Sequence, residues 1–242
     1  MEYLMELKHR LVFDFIEKQR YMYIVNGLKI TVIVTLLALI LGLAIGVVVA
    51  VIRTAHDQLG EKGRKGFGGA LLGLFDLICR IYLTIIRGTP AMVQLLLMYF
   101  VFLASSTNKI LVAVLTFGIN SGAYVAEIFR SGIMSIDKGQ MEAGRSLGLS
   151  YAKTMQKIIL PQAVKNVLPA LVNEMITLLK ETSICGYIGL NELTRGGDII
   201  RGNTFDAMPP LLAVAAIYLV IVMFFTWLMG RLERRLRESD NR

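Results

Sequence analysis

Five apolar runs, at 30–52, 83–103, 110–128, 158–179 and 211–229, recur along this chain of 242 residues. Each is near the ~20 residues that an α-helix needs to cross the hydrocarbon core of a bilayer. Composition agrees, with 55% of residues apolar and 18% charged, against about 45–50% and about 25% in an ordinary soluble domain. The predicted fold class is an all-α polytopic membrane protein with five transmembrane helices. A soluble enzyme, a secreted disulfide scaffold and a disordered tail are excluded.

The net charge is +8, and its distribution explains it without nucleic acid. With the runs taken as spans, the segments 53–69, 130–157 and 231–242 share one side and hold 14 Lys and Arg. The other side holds 7, and 5 lie within apolar segments. Cytoplasmic loops carry the basic excess. The expected topology therefore has the N-terminus outside and the C-terminus and both longer basic loops in the cytoplasm. The expected layout is an external N-terminal segment over 1–22, a transmembrane domain over 23–231 with a cytoplasmic loop at 132–157, and a basic cytoplasmic tail over 232–242.

The first twenty residues mix basic and acidic side chains, and the first apolar run is too long for a signal peptide. Cys79 and Cys185 are two lone thiols, expected on opposite sides of the membrane. No Walker A loop is present, since the stretch Gly60-Glu61-Lys62-Gly63-Arg64-Lys65-Gly66 lacks Gly-Lys-Ser/Thr. The two histidines, His9 and His56, lie outside the spans, so a helix-borne bis-histidine haem, an HExxH zinc site and any other resident metal are not expected. No bond-breaking chemistry is visible, so no catalytic residue is assigned.

Polar side chains are costly in hydrocarbon, which makes their spacing informative. On the fourth run Asn173, Glu174, Thr177, Lys180 and Glu181 share one helical face, and on the third so do Thr116, Asn120, Tyr124, Glu127 and Ser131. The second apolar element, taken over 70–103, would be about 51 Å long as one helix, too long for a ~30 Å core. It carries Asp76, Arg80 and Arg87 and is expected to break at Arg87-Gly88-Thr89-Pro90. Broken helices at membrane depth line cavities. The plainer reading is that Asp76–Arg80 and Glu127–Arg130 are local ion pairs and the amides tie helices together. If the stripes align, they form a path past Arg87, Thr89, Gln94, Asn120, Glu174, Thr177, Lys180 and Glu181, which a second copy or homologue is needed to enclose. Gly42 and Gly46 form a GxxxG that reads as close helix packing.

The loop at 132–157 is the most specific feature. Gln140-Met141-Glu142-Ala143-Gly144-Arg145-Ser146-Leu147 reads as a short amphipathic helix, ended by Gly148 in a left-handed cap, with Ser150 capping the next helix. Such a helix can plug into a partner through Ala143 and Gly144, with Met141 and Leu147 as apolar contacts, or lie on the lipid surface.

Glu142-Ala143-Gly144, Gly148, Ile158 and Leu160-Pro161 resemble the EAA loop of bacterial ABC importer permeases, EAA-x3-G-x9-I-x-LP. The one departure is Gly144 in place of the usual Ala, expected to loosen the helix by up to ~1 kcal/mol. Arg87-Gly88-Thr89-Pro90 with Val93-Gln94, and Asn173-Glu174-x5-Lys180-Glu181-Thr182-Ser183, resemble the polar amino acid branch of that family, which includes histidine, glutamine, arginine and cystine uptake systems. The resemblance implies a MetI-like helical core and a permease for polar amino acids, cationic ones among them. It implies a second permease copy or homologue and two cytoplasmic ATP-binding subunits gripping Gln140, Met141, Glu142, Ala143, Gly144, Arg145, Leu147 and Gly148. It also implies an external substrate-binding protein docking at 181–208. ATP and magnesium would sit on the partner ATPase, and this chain would hold no cofactor. The alternatives are an autonomous channel or secondary carrier for small ions or amino acids, and a purely structural membrane subunit. The 140–161 segment discriminates, because a free-standing carrier has no use for a cytoplasmic plug.

Overall fold

A computed structural model describes residue 6, residues 10–58 and residues 66–238, with side chains placed as far as Arg234 at the C-terminal end. His9, the Gly60–Lys65 stretch and the end of the basic tail lie outside the described residues. Among the described residues there is no strand. The elements in order are α1 (Tyr21–Gln58), α2 (Phe67–Gly88), α3 (Ala91–Leu97), α4 (Lys109–Met134), α5 (Lys138–Ser146), α6 (Tyr151–Thr154), α7 (Leu160–Glu181), α8 (Leu193–Thr204) and α9 (Met208–Glu238).

The second apolar run is not one helix. α2 ends at Gly88, Thr89 is extended (φ −123°, ψ 144°) as the residue before a proline tends to be, and α3 restarts at Ala91. The break falls where the Gly–Pro pair predicts it. Among the described residues, four helices (within α1, α2, α4 and α9) are long and apolar enough to cross a membrane. α7 has 22 residues, but Lys165, Asn166, Asn173, Glu174 and Lys180 dilute its apolar content.

The chain forms two compact units. The first comprises the segments Met1–Ala38, Ala91–Phe117 and Ile176–Leu228. Its core joins Ile24, Leu193, Ile200 and Val214. A side chain on Gly27 would come within 2.6 Å of the Glu192 carbonyl oxygen, and one on Gly196 within 2.5 Å of the Tyr23 carbonyl oxygen, so α1 and α8 touch backbone to backbone. The described part of the expected external segment packs here as turns over 12–19, with Asp14 fully buried and Arg20 Nη1 donating to the Phe13 carbonyl at 2.5 Å.

The second unit comprises Leu39–Pro90, Gly118–Met175 and Met229–Arg242. Its core joins Val49, Cys79, Leu83, Ala123 and Ala126. The GxxxG of α1 packs within the chain, because a Cβ on Gly42 would lie 3.0 Å from Ser121 and one on Gly46 2.4 Å from Val125 Cγ1. α4 answers with Gly118 and Gly122, set against Leu41 and Ile45. Small residues on both helices let them approach closely where lipid gives no hydrophobic drive to associate.

Candidate functional site

The expected coupling loop is a capped helical hairpin within the second unit. Asp137 is the N-cap of α5, its carboxylate accepting from the Gly139 N–H at 2.6 Å. The helix thus starts two residues earlier than the sequence suggests. Glu142 lies in its second turn, not at its N-terminus, and is exposed. Gly148 is left-handed (φ 85°) and donates to the Arg145 carbonyl at 3.0 Å, while Leu149 N–H reaches the Gly144 carbonyl at 3.1 Å. Ser150 caps α6, accepting from Lys153 N–H at 3.4 Å. From Tyr151 the chain stays helical to Glu181, with one wide turn at Met155–Ile159 just before Pro161 and with Pro169 inside α7, each proline removing one helix hydrogen bond.

The two faces of α5 differ. Gly144 is buried against its own hairpin, where a Cβ would meet Thr154 Cγ2 at 2.4 Å and Ile158 Cδ1 at 3.1 Å. Thr154 is fully buried and its hydroxyl donates to the Ser150 carbonyl at 3.1 Å. This corrects two expectations. Gly144 is not free to receive a partner, and it tightens the hairpin instead of merely loosening the helix. Met141 is half-buried, while Gln140, Glu142, Ala143, Arg145 and Leu147 face outward, Leu147 being 82% exposed.

Of the expected path residues, Arg87, Thr89, Asn120 and Glu174 belong to the second unit and Gln94, Thr177, Lys180 and Glu181 to the first. In the second unit, Ser121 donates to Glu174 Oε1 at 2.8 Å, tying α4 to α7. Asn120 is buried. Arg87 lies 3.6 Å from Glu127 Oε2 and over the Tyr124 ring, and Thr89 donates to the Ile85 carbonyl at 2.8 Å, finishing α2. Asp76–Arg80 (2.7 Å) and Glu127–Arg130 (3.2 Å) are indeed local ion pairs. In the first unit, Thr177 and Lys180 are exposed, while Gln94 and Glu181 are half-buried.

Sequence reasoning missed the fixture at the start of α8. Glu192 is 1% exposed and its carboxylate accepts from the N–H groups of Thr194 (2.6 Å) and Arg195 (2.7 Å), while Leu193 N–H donates to Thr31 Oγ1 at 3.2 Å. Burial pushes the Glu192 carboxyl up to about 7. It also missed Thr154 and the Arg53 and His56 side chains beside Asp76 (3.5 and 3.3 Å). No residue-spacing signal reaches those three. Gly118 and Gly122 repeat the GxxxG spacing and were legible. Among the described residues no group of three or more His, Cys, Asp or Glu is placed to hold a metal.

Among the described residues the candidate site is thus a capped hairpin with an outward-facing surface, carried on long apolar helices. Residues 67–238 match the family described as binding-protein-dependent transport system inner membrane component; the chain belongs to this family and is a multi-pass inner-membrane protein. It is 38% identical over 187 residues to an arginine transport system permease protein of Bacillus subtilis, covering 71% of this chain and 85% of that one. It is 41% identical over 176 residues to a glutamine transport system permease protein of Escherichia coli, covering 71% and 78%. A crystal structure of an amino acid ABC transporter with histidines superposes with a TM-score of 0.79 at 38% identity, covering 91% of this chain and 98% of that one. An inward-facing methionine ABC transporter gives 0.72 at 19% identity, covering 89% and 96%, a likeness of fold. The family sets aside a free-standing channel or carrier.

Proposed function

We propose that this chain is the membrane-spanning subunit of an ATP-driven importer of polar amino acids, paired with a second permease copy or homologue. Two cytoplasmic ATP-binding subunits, which bind ATP and magnesium, grip the α5 hairpin, and an external substrate-binding protein delivers the solute at 181–208. The chain crosses the membrane five times with its N-terminus outside, α2 and α3 counting as one broken crossing. Residues 1–22 stay external, and the loop at 132–157 and the tail at 232–242 are cytoplasmic. The solute path runs past Arg87, Thr89, Gln94, Asn120, Glu174, Thr177, Lys180 and Glu181.

The observation that carries this reading is the hairpin's rigid connection to α7. Lipid transmits no directed force, so closure of a partner can move the spans only through a stiff contact. Gly144 against Thr154 fixes α5 onto α6, and helix continues through the wide turn at Met155–Ile159 and past Pro169 into the polar stripe of α7. Gln140, Glu142, Ala143, Arg145 and Leu147 remain outside for docking, and Gly148 holds the turn. Displacing the hairpin tilts the stripe and opens the path to one side at a time. A nucleotide shifts that equilibrium only by its differential affinity for the two states.

The test is solute-stimulated ATP hydrolysis in the reconstituted complex. A side chain at Gly148 meets nothing within 4 Å, so Gly148→Val strains the left-handed backbone alone, by about 1–2 kcal/mol. It is expected to uncouple or detach the ATPase while the spans still insert. Glu142→Lys reverses an exposed charge on the docking face and is expected to weaken docking. Wild-type stimulation and uptake in both variants would show that the hairpin only rests on the membrane.

A further inference from the structure

Helix α2 has three faces. Asp76, Cys79 and Leu83 are buried; Leu74, Ile78, Ile81 and Ile85, each more than half exposed, form an apolar face suited to lipid. Arg80, Thr84 and Arg87, at i, i+4 and i+7, form a third face that is also exposed. Lipid cannot cover it, since a guanidinium facing hydrocarbon is expensive. These three residues, with Arg53 of α1, Leu83 and Gly88, line an open cleft of about 470 Å³.

Among the described residues, cations outnumber carboxylates around this cleft. From α1 come Arg53 and His56, from α2 Asp76, Arg80 and Arg87, and from α4 Glu127 and Arg130. Asp76 is shared by Arg80 (2.7 Å), His56 (3.3 Å) and Arg53 (3.5 Å), and Glu127 by Arg130 (3.2 Å) and Arg87 (3.6 Å). Four guanidinium groups thus face two carboxylates. Each guanidinium has five N–H donors, and Arg53, Arg80 and Arg87 each direct one nitrogen at a carboxylate. Among the described residues Arg53 Nε, though buried, finds no hydrogen-bond partner. All three arginines line the cleft.

We propose that the Arg53–Arg80–Arg87 cleft binds the carboxylate of the transported solute, passing it along α2 between Arg87 and the Arg80–Arg53 pair. This rests on the importer reading and adds to it a carboxylate-specific binding site. A planar guanidinium matches a carboxylate bidentately. A phospholipid phosphate has the same matching chemistry, but the stripe does not suit it. Arg53 follows directly on an apolar run, at headgroup level, whereas Arg87 lies about 10 Å along α2 from Arg80, beside the helix break. One fixed headgroup cannot serve both ends; a small mobile carboxylate can.

The experiment is arginine modification by phenylglyoxal on the full chain in nanodiscs, read site by site by mass spectrometry. L-Glutamine is the probe, with its decarboxylated analogue 4-aminobutanamide and inorganic phosphate as comparisons and Arg145 as the unprotected control. At a concentration about twice its Kd, glutamine is expected to slow modification of Arg80 and Arg87 about threefold, and the analogue not at all. Arg87→Gln is expected to abolish protection at Arg80, and Arg87→Lys, keeping charge without the fork, to restore part of it. Equal protection by the analogue, or none by glutamine, overturns the proposal. So does protection that follows phosphate, or phosphatidylglycerol against phosphatidylcholine nanodiscs, regardless of glutamine, which would make this a phosphate site. Solute-stimulated ATP hydrolysis without arginine protection removes the anion site alone, and protection without coupled hydrolysis removes the importer reading alone.

Discussion

Replacing Gly144 by alanine restores the residue that importer loops ordinarily carry, and in this chain it is expected to do harm. In an isolated helix the change would stabilise by about 1 kcal/mol. Here the new Cβ would lie 2.4 Å from Thr154 Cγ2, well inside the roughly 3.5–4.0 Å of ordinary carbon contact. Thr154 has little room to yield: it is fully buried, its branched side chain is stiff about χ1, and its hydroxyl holds the Ser150 carbonyl. Overpacking of this kind costs about 1–3 kcal/mol, so the net change is a local destabilisation of about 1 kcal/mol. Hydrogen exchange at the Leu147 and Leu149 amides, which bond to the Ala143 and Gly144 carbonyls, reads it directly. They are expected to exchange about fivefold faster in Gly144→Ala. Thr154→Ser removes Cγ2 and keeps the hydroxyl; combined with Gly144→Ala it is expected to bring exchange back to within about twofold of wild type, a non-additivity that marks direct contact. Exchange in Gly144→Ala as slow as wild type would refute the packing argument.

Three further outcomes are expected. Glu174→Gln keeps shape and the Ser121 bond while removing charge, so uptake should fall with ATPase assembly intact; unchanged uptake kinetics would leave Glu174 a helix tie. For Glu192, with its carboxyl raised to about 7 from 4.5 by burial, the folded state holds a proton that the unfolded state has released. Stability of the α8 region should therefore fall as pH rises from about 4.5 to about 7 and level off above, by about 3 kcal/mol; Glu192→Gln should flatten this, and an unchanged slope in exchange or thermal unfolding would refute it. Single cysteines introduced near Arg64, which lies outside the described residues, and near Glu192 should label from opposite faces of the membrane. Labelling from one face would sink the five-crossing topology.

Residue type at fixed spacing made much of this chain legible. Long apolar runs leave only helices, Gly88 and Pro90 stop one of them, and Gly148 before Ser150 demands a left-handed turn followed by a cap. Each of these is a local constraint, settled within a few residues. What stayed hidden is settled by pairs far apart in sequence. Asp76 and Arg80 are visible as an i, i+4 pair, but Arg53 and His56 reach Asp76 from another helix. Thr31 meets Leu193 across 162 positions, and no periodicity relates them. Glycines show the distinction most clearly, because a glycine announces a close approach without naming what approaches. Gly42 and Gly46 could be read as packing positions, but their partners Ser121 and Val125 could not. Gly144 looked like a weakened helix because the helix was all that local spacing described. Set against Thr154, the same glycine is half of a contact, and removing either half without the other loses what makes the hairpin stiff enough to transmit a push.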